Sequence, residues 1–474
     1  MKIRTTTLGE AGKAEYYIYA KMVNEDRSIP TALEGLKPSG RRCLWTLYDM
    51  GLHSKAKHMK TARAVGETMG KLHPHGDSSL VETYVTLVNS TLPMADGSGN
   101  WGSLSEPGFA AMRYTEIRMS LYSEKVFFDK FYLPTLEYLP TYDGEGKEPL
   151  TLPCLLPNLL LNGSFGIGVG VSTSNPCFTL PSVVDVLKKV LLGESCTPKM
   201  CMTLRLTCQY EGKPITSKEE MLEFYKTGKG GAKFASVYTL DEKRKEMCIT
   251  KFAPISSMEK SIEKALALKH VSKVDDVTSV KDKHATVIVK LRTAGTDNLK
   301  ALADQVITEA FSASKHFDIK ALDRTIDSSG QAEVDLYSSN VADLINGWVK
   351  YRITLERKAC DCKIIDIDKR IAYLRLMLLA VENRRFIIQA LDKKLNDQGL
   401  DEYVAKGLKI TIEEARQILD LKVRRLKAME SDTLQSEVDT LAKEKKTLLD
   451  RKKSPNNYIA NQLDGFVKLF SSKV

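Results

Sequence analysis

An arginine followed by a tyrosine, Arg113–Tyr114, lies in the stretch GFAAMRYTEIRMS at residues 108–120. A phenol is a weak nucleophile at its ordinary pKa of about 10 and needs an adjacent positive charge or a base. Arg113 carries a charge it never loses, so the pair suits attack on an anionic group. A surface arginine beside a half-buried tyrosine is the plain alternative, and the pair alone does not decide. Two other groups bear on it. Lys37, Arg41 and Arg42 gather where a helix is predicted to start, at about Arg41. Cations there oppose the helix dipole, a cost that a docked anion would offset; a solvated basic turn is the alternative. HPHGD, residues 73–77, sets His73, His75 and Asp77 on one side of an extended segment, which is a metal-ligand pattern. Asp77 is equally placed to cap the following helix, and the basic surroundings favour the histidines as donors to phosphate oxygens.

These residues need elements to hold them. Residues 14–26 read as a short helix, and Pro30, Gly35, Pro38 and Gly40 mark a looped stretch after it. Thr61–Leu72 and Ser78–Asn89 read as helices on either side of HPHGD. Val65, Met69 and Leu72 share one face of the first, and Leu80, Tyr84 and Leu87 one face of the second. Two short helices about a tight turn make a helix-turn-helix, a common DNA-reading unit, and Ser79 with Glu82 fits a capping box. DGSGNWG, residues 96–102, contains a literal GxGxxG. No β-run precedes it and no apolar helix follows, so it reads as a tight glycine turn. No GxxxxGK[ST] occurs. Residues 152–171 carry no charge and could cross a bilayer, yet two prolines, two asparagines and four glycines would leave backbone groups unpaired in lipid. A buried loop and strand is expected there, with Ile167 and Val169 among glycines that admit a close neighbour.

From about 145 to 340, β-like runs such as Ala285–Leu291 alternate with helices such as Asn298–Phe311. No proline occurs from 255 to 454, and Asp343–Lys394 reads as one helix. Leu395–Leu408 reads as a polar break and Thr411–Leu426 as a further helix. Ser431–Lys453 forms a second arm in which Leu434, Val438, Leu441 and Leu448 follow a coiled-coil seam. The arms are expected to run antiparallel around a small globular tip, where exposed Ile418 and Leu421 would make a self-association surface. Asp366 and Asp368 read as part of a solvated face, and NNYIANQLDGFVKLF as a last helix that packs back.

A chain of 474 residues exceeds one core and should divide into about three domains. Its 43% hydrophobic and 27% charged residues are those of a soluble globular protein. The net charge of +10 is uneven: residues 1–76 hold 13 Lys/Arg against 7 Asp/Glu. That bias favours an acidic partner, nucleic acid first. Nine cysteines, an odd number with no CxxC pair, argue against a disulfide framework or a zinc knuckle and for a reducing compartment. The first residues, MKIRTTTLGEAGKAEYY, lack the apolar run of a signal peptide. The expected location is cytoplasmic, in a bacterial cell or a phage-infected host, with no membrane partner.

In this order, IPTALEGLKPSGRR, ARAVGETMGKLHPHGDSS, DGSGNWGS, AAMRYTEIRM, LPNLLLNGSFGIGVGVST and ITIEEARQILDLKVRRL span nearly the whole chain. They resemble the A-type, breakage–reunion subunit of the type IIA DNA topoisomerases, the family of gyrase A and topoisomerase IV A. AAMRYTEIRM and KLHPHGDS are the most specific. The resemblance implies a mixed α+β, helix-rich fold. An N-terminal arm and winged-helix breakage–reunion domain would occupy 1–145 and an α/β tower domain 146–342. A long antiparallel coiled coil with a globular dimerisation gate would occupy 343–474. It also implies that Tyr114 attacks a backbone phosphorus to form a 5′-phosphotyrosyl link, with Arg113, His75 and Arg27 as catalytic partners. Lys37, Arg41, Arg42, His73, Ser78 and Ile167 would bind DNA, Ile167 as a wedge between base pairs. Ser78 and Glu82 match positions that hold quinolone-type drugs through a metal ion in bacterial relatives.

Leu33 stands where the family often has arginine, and Gly40 where it has histidine. Both departures remove phosphate contacts. No β-pinwheel, ATP-binding domain or convergent acidic cluster is recognised, and two-metal chemistry needs such a cluster. Mg²⁺ and ATP are therefore expected on a separate B-type partner chain, with no metal site on this chain. The expected assembly is a homodimer through the C-gate, completed as A₂B₂ on double-stranded DNA, giving relaxation or decatenation. A non-catalytic DNA-binding coiled-coil architectural protein is the alternative, though it has no use for Arg113–Tyr114 together with HPHGD.

Overall fold

The computed structural model describes residues 7–106, 108–278, 285–292, 298–326, 332–393, 395–420 and 431–471. Two compact units divide the chain: Met1–Ile353 with Ile459–Val474, and Thr354–Tyr458.

The first unit opens with helix Leu8–Val23 (α1), closed at its start by a reciprocal Thr7–Glu10 capping box. Asn24–Ser28 adds a wider π turn. Pro38–Asp49 (α2) starts on a proline, whose missing N–H has no helical partner there in any case. Thr61–Lys71 (α3) and Asp77–Val88 (α4) follow. Leu44, Leu47, Val65, Leu80 and Tyr84 are buried among these helices. A polar thread crosses them, with Thr68 Oγ1 3.0 Å from Thr46 Oγ1 and 2.9 Å from Tyr84 Oη. The expected Ser79–Glu82 capping box does not form. Gly76 is the residue before α4, Ser79 lies inside the first turn, and its hydroxyl donates to the Gly76 carbonyl at 2.9 Å.

Strands Met59–Lys60 (β1), Ala95–Ser98 (β2) and Glu116–Met119 (β3) make an antiparallel sheet in the order β1-β3-β2. Beyond it, a five-stranded antiparallel sheet joins Lys213–Pro214, Lys229–Ala235, Ser312–Asp318, Ser172–Asn175 and Ser164–Ile167. A four-stranded antiparallel sheet that includes Glu246–Lys251 and Val287–Leu291 shares its core with helices Met258–Leu266 and Leu299–Ala310. The strand and helix expected around 285 and 298 are both present. The chain's last helix, Pro455–Ser471, buries Ile459, Leu463, Phe466 and Phe470. Lys188 Nζ bonds both oxygens of Asp464, at 2.9 and 2.8 Å. From Ile459 onward the chain thus belongs to the first unit, whereas the sequence reading keeps 343–474 together.

In the second unit the part of helix Val341–Glu382 from Thr354 onward pairs antiparallel with Ser431–Lys453. Ion pairs Lys452–Asp361, Lys445–Asp368 and Arg370–Glu437, at 2.5, 2.5 and 2.9 Å, fix the register. Val438 and Leu448 are buried, as the seam predicts. Three expectations fail here. The single helix to Lys394 is broken at Asn383, which lets Arg384–Leu391 turn Ile387 and Ala390 inward. The polar break is instead helix Asp397–Leu408, capped by Asn396, because Val404 and Ala405 give it an apolar face. Ile418 is not exposed: it is fully buried with Leu376, Met377 and Ile387. Leu421 and the rest of the helix expected to Leu426 lie outside the described residues.

One buried ion pair organises the first unit. Glu34 is 0% exposed and Arg41 5%. Arg41 donates to Glu34 Oε1 from Nη2 and, at 2.6 Å, from Nε; Nη2 also donates to Thr31 Oγ1 at 3.0 Å. The second oxygen of Glu34 accepts the Leu152 N–H at 2.7 Å, and its carbonyl accepts Asn158 Nδ2 at 2.9 Å. Removing one partner strands a charge out of water. Glu34→Ala and Arg41→Ala are each expected to cost about 3–5 kcal/mol in urea unfolding. Midpoints within error of the parent would show that the pair is not structural.

Candidate nucleic-acid interface

The segment bearing Tyr114 is gripped by the start of α3, where helical N–H groups have no partner within the helix. Thr61 N–H donates to the Thr115 carbonyl at 3.1 Å and Ala62 N–H to the Met112 carbonyl at 3.2 Å. Thr115 is buried, with its hydroxyl 2.9 Å from that of Thr61. Tyr114 N–H closes a turn to the Ala111 carbonyl at 2.8 Å. Thr115 points inward while Tyr114 is 64% exposed, which disposes of the half-buried alternative. The Arg113 guanidinium carbon lies 4.7 Å from the Tyr114 ring centroid, a cation–π contact that keeps a permanent charge beside the phenol. The carboxylates of this sheet are already matched to cations. Glu116 pairs with Lys60 at 3.0 Å, and Asp96 with Arg118 at 2.8 Å. They do not converge on one another as oxygen ligands of a Mg²⁺ ion would have to.

A second group of cations surrounds the Asn24–Ser28 turn. Arg42 is clamped to Glu148 by two bonds of 2.6 and 2.7 Å, and its Nη1 lies 3.0 Å from His73 Nδ1. A guanidinium only donates, so His73 accepts at Nδ1 and its proton sits on Nε2. Burial first, then the charges of Arg42, His75 and Arg27, push His73 down to about 4. The His73 and His75 rings meet edge-on, with centroids 4.6 Å apart. His75 and Arg27 remain exposed.

The hairpin Ser164–Ile167/Ser172–Asn175 rests on the same turn. Asn24 brackets Val169: its Nδ2 donates to the carbonyl at 3.1 Å and its Oδ1 accepts the N–H at 2.9 Å. Lys37 Nζ donates to the Phe165 carbonyl at 2.7 Å, and burial pulls its pKa down. A Cβ on Gly166 would stand 1.9 Å from the Ser28 carbonyl oxygen, so this approach requires glycine. Ile167 at the hairpin's end is 72% exposed.

Of the expected site residues, Arg27, Arg42, His73 and His75 come together, and Lys37 joins them to Ile167 through the hairpin. Arg113 and Tyr114 stand apart; among the described residues no hydrogen bond, ion pair or ring contact links them to that cluster. Ser78 and Glu82 are exposed one turn apart on α4. Arg41 needs correction, because its guanidinium is enclosed with Glu34 and offers nothing to a ligand. Asp77 is the first residue of α4 and not its cap; its Oδ1 accepts the neighbouring Ser78 N–H at 2.9 Å. Sequence reasoning misses Asn24, Thr115 and Glu148, whose partners lie far off in the chain or in an unremarkable helix start. A cleft of about 2520 Å³ that includes Asn100, Trp101 and Arg205 in its lining does not include Tyr114. Open placement of the phenol suits a polymer more than a small molecule.

His73 also carries a pH signature. Its folded pKa lies below the unfolded value of about 6.5, so the unfolded chain takes up the proton first as pH falls. The stability it contributes is full above about 6.5 and is lost as pH drops towards 4. Urea midpoints across that range are expected to fall less steeply for His73→Gln than for the parent; parallel curves would contradict the assignment.

The family model for the A-type subunits of DNA gyrase and topoisomerase IV matches residues 27–464. The chain is 29% identical over 479 residues to the A-type subunit of DNA topoisomerase 4 from Escherichia coli (strain K12), covering 96% of this chain and 61% of that protein. It is 30% identical over 447 residues to its counterpart from Salmonella typhimurium, with coverage of 91% and 57%. Against the A-type subunit of DNA gyrase from Streptococcus pneumoniae serotype 4 it is 27% identical over 477 residues, with coverage of 97% and 56%. The chain therefore spans 56–61% of the length of these relatives. The match takes in Arg27, the histidine pair, the Tyr114 loop and the hairpin alike, and the chain belongs to the family of DNA gyrase and topoisomerase IV A-type subunits.

Proposed function

We propose that this chain is the DNA-cleaving and rejoining part of a type IIA topoisomerase. The observation that carries the reading is the exposed Tyr114 phenol with the Arg113 guanidinium against its ring, on a loop fixed by α3. The Tyr114 oxygen attacks a backbone phosphorus and gives up its proton. The bond to the 3′ oxygen breaks, and the chain is left joined to the 5′ phosphate. The released 3′ oxygen takes a proton and later attacks the phosphotyrosyl ester to restore the strand. Arg113, His75 and Arg27 stabilise the charge that develops on the phosphate oxygens, which is where fixed cations lower a barrier most. Exposed Ile167 on its anchored hairpin serves as the wedge that bends the duplex, since inserting apolar groups unstacks a base step. Ser78 and Glu82 on α4 face the cut segment and form the candidate drug position.

In this reading α2–α4 with the β1-β3-β2 sheet act as the winged helix, the larger sheets as the tower, and the antiparallel helix pair as the arm of a dimerisation gate. Mg²⁺ supplies Lewis-acid stabilisation of the phosphate when a B-type partner chain brings it. The same partner brings ATP, and two copies of each chain make the complex. The residues around Tyr114 do not fit a Mg²⁺ cage, and no step above depends on one. The architectural alternative loses its footing with family membership.

With the B-type partner, Mg²⁺ and end-labelled duplex, denaturant-trapped covalent adduct is expected from the parent and none from Tyr114→Phe. An adduct that persists in Tyr114→Phe would move the nucleophile elsewhere. Arg113→Ala is expected to slow cleavage about 10²–10³-fold. Purified alone, the chain is expected to bind DNA without cleaving it, and ATP-dependent relaxation by the lone chain would refute that division of labour.

A further inference from the structure

The hairpin presents a second large apolar side chain besides Ile167. Phe165 is 62% exposed, and it lies two residues before Ile167 on strand Ser164–Ile167. Side chains two apart on a strand share a face. Gly166, between them, faces the other way and is buried against Ser28. Across the hairpin, Phe165 pairs with Ser174 and Ile167 with Ser172. Both neighbours are short and polar, so the exposed phenyl ring and isoleucine stand above a serine floor.

The backbone beneath is held rigidly for an exposed hairpin. Lys37 holds the Phe165 carbonyl at 2.7 Å, Asn24 holds both backbone groups of Val169, and Lys320 Nζ holds the Ser172 carbonyl at 3.1 Å. The charge around it selects the occupant. Exposed Arg27 adjoins Ser28 under Gly166, and the first 76 residues carry a net +6. Apolar teeth set among cations suit a ligand with a polyanionic outside and flat apolar faces inside.

We propose that Phe165 is a second DNA-contacting tooth, whose ring packs on a base or sugar at the step that Ile167 opens, with Asn24 and Lys37 as positioning residues for both. This rests on the reading of the chain as the DNA-bending part of a topoisomerase. An aromatic ring suits the task because every base offers a π-face, so contact is strong without sequence preference.

The test uses the full chain and a duplex of about 30 base pairs carrying a donor and an acceptor dye at its ends. Binding by the parent is expected to raise energy transfer as the duplex bends. Phe165→Ala is expected to weaken binding roughly ten-fold and to reduce the bend, while Phe165→Trp keeps both. Ile167→Ala is the internal reference, and circular dichroism checks that each variant is folded. If the parent and Phe165→Ala bend the duplex equally and bind it equally while Ile167→Ala fails, Phe165 is not a tooth and the bending function stands. If the parent binds without bending, both the tooth and the underlying reading fall.

Discussion

Two opposite charges taken out of water, on Glu34 and Arg41, set the terms for the rest of the first unit. Desolvating an ion pair costs several kcal/mol per ion, and the pair is tolerable only when its remaining hydrogen-bonding capacity is filled. Here Thr31 and the Leu152 N–H bond the pair itself, and Asn158 bonds the Glu34 backbone carbonyl, partners drawn from the entry loop and from the uncharged stretch after residue 150. The pair therefore acts as a register pin. It fixes the loop on which Lys37 stands relative to the segment that leads into the hairpin. Gly35 completes the fit, since a Cβ there would sit 2.4 Å from the Leu159 nitrogen.

That pin changes how the basic excess should be read. Lys37, Arg41 and Arg42 form one cluster in the sequence, yet each donates to the protein itself: to the Phe165 carbonyl, to Glu34 and to Glu148. A surface that meets a polyanion must hold like charges close together, and their mutual repulsion opposes folding. Neutralising the inner cations with Glu34 and Glu148 leaves Arg27, His75 and Arg113 to face outward. His73 follows the same logic. Pressed between Arg42 and His75, it stays neutral and serves as an acceptor, which removes one more positive charge from the crowd.

Much of this was legible from residue order, for definite reasons. Helical periodicity found α3 and α4 because Val65, Leu72, Leu80, Tyr84 and Leu87 turn inward, although Met69 of the expected α3 face is exposed, and the seam of Ser431–Lys453 emerged through buried Val438 and Leu448. Glycine spacing marked the hairpin, since Gly166 exists to let two backbones touch. What stayed hidden depends on long-range partners. Arg41 differs from Arg27 only through Glu34, a carboxylate seven residues upstream whose burial has no local signature. Ile418 looks like a surface residue of a short helix until Met377 and Ile387 close over it. Asn383 breaks a run with neither proline nor glycine near it, because burying Ile387 outweighs continuing the helix.

Chemistry on a polymer sets a constraint that pocket enzymes escape: reacting groups must be exposed and still be fixed. Exposure alone would leave Tyr114 and Ile167 mobile, and in the proposed reaction a mobile group must be ordered before it attacks or inserts. This chain answers by separating side chain from backbone. The outward residues are alternated with inward ones that are pinned, Thr115 after Tyr114 and Gly166 before Ile167. The pins are polar and part-buried or buried, where a hydrogen bond is costly to break. At Ile167 strand alternation does the rest, because a residue whose neighbour is locked downward points upward; at Tyr114 the turn closed onto Ala111 plays that part. For the proposed reaction, preorganisation of this kind lowers the reorganisation needed when charge develops in the transition state, which is the condition under which a fixed cation in the role proposed for Arg113 is most effective.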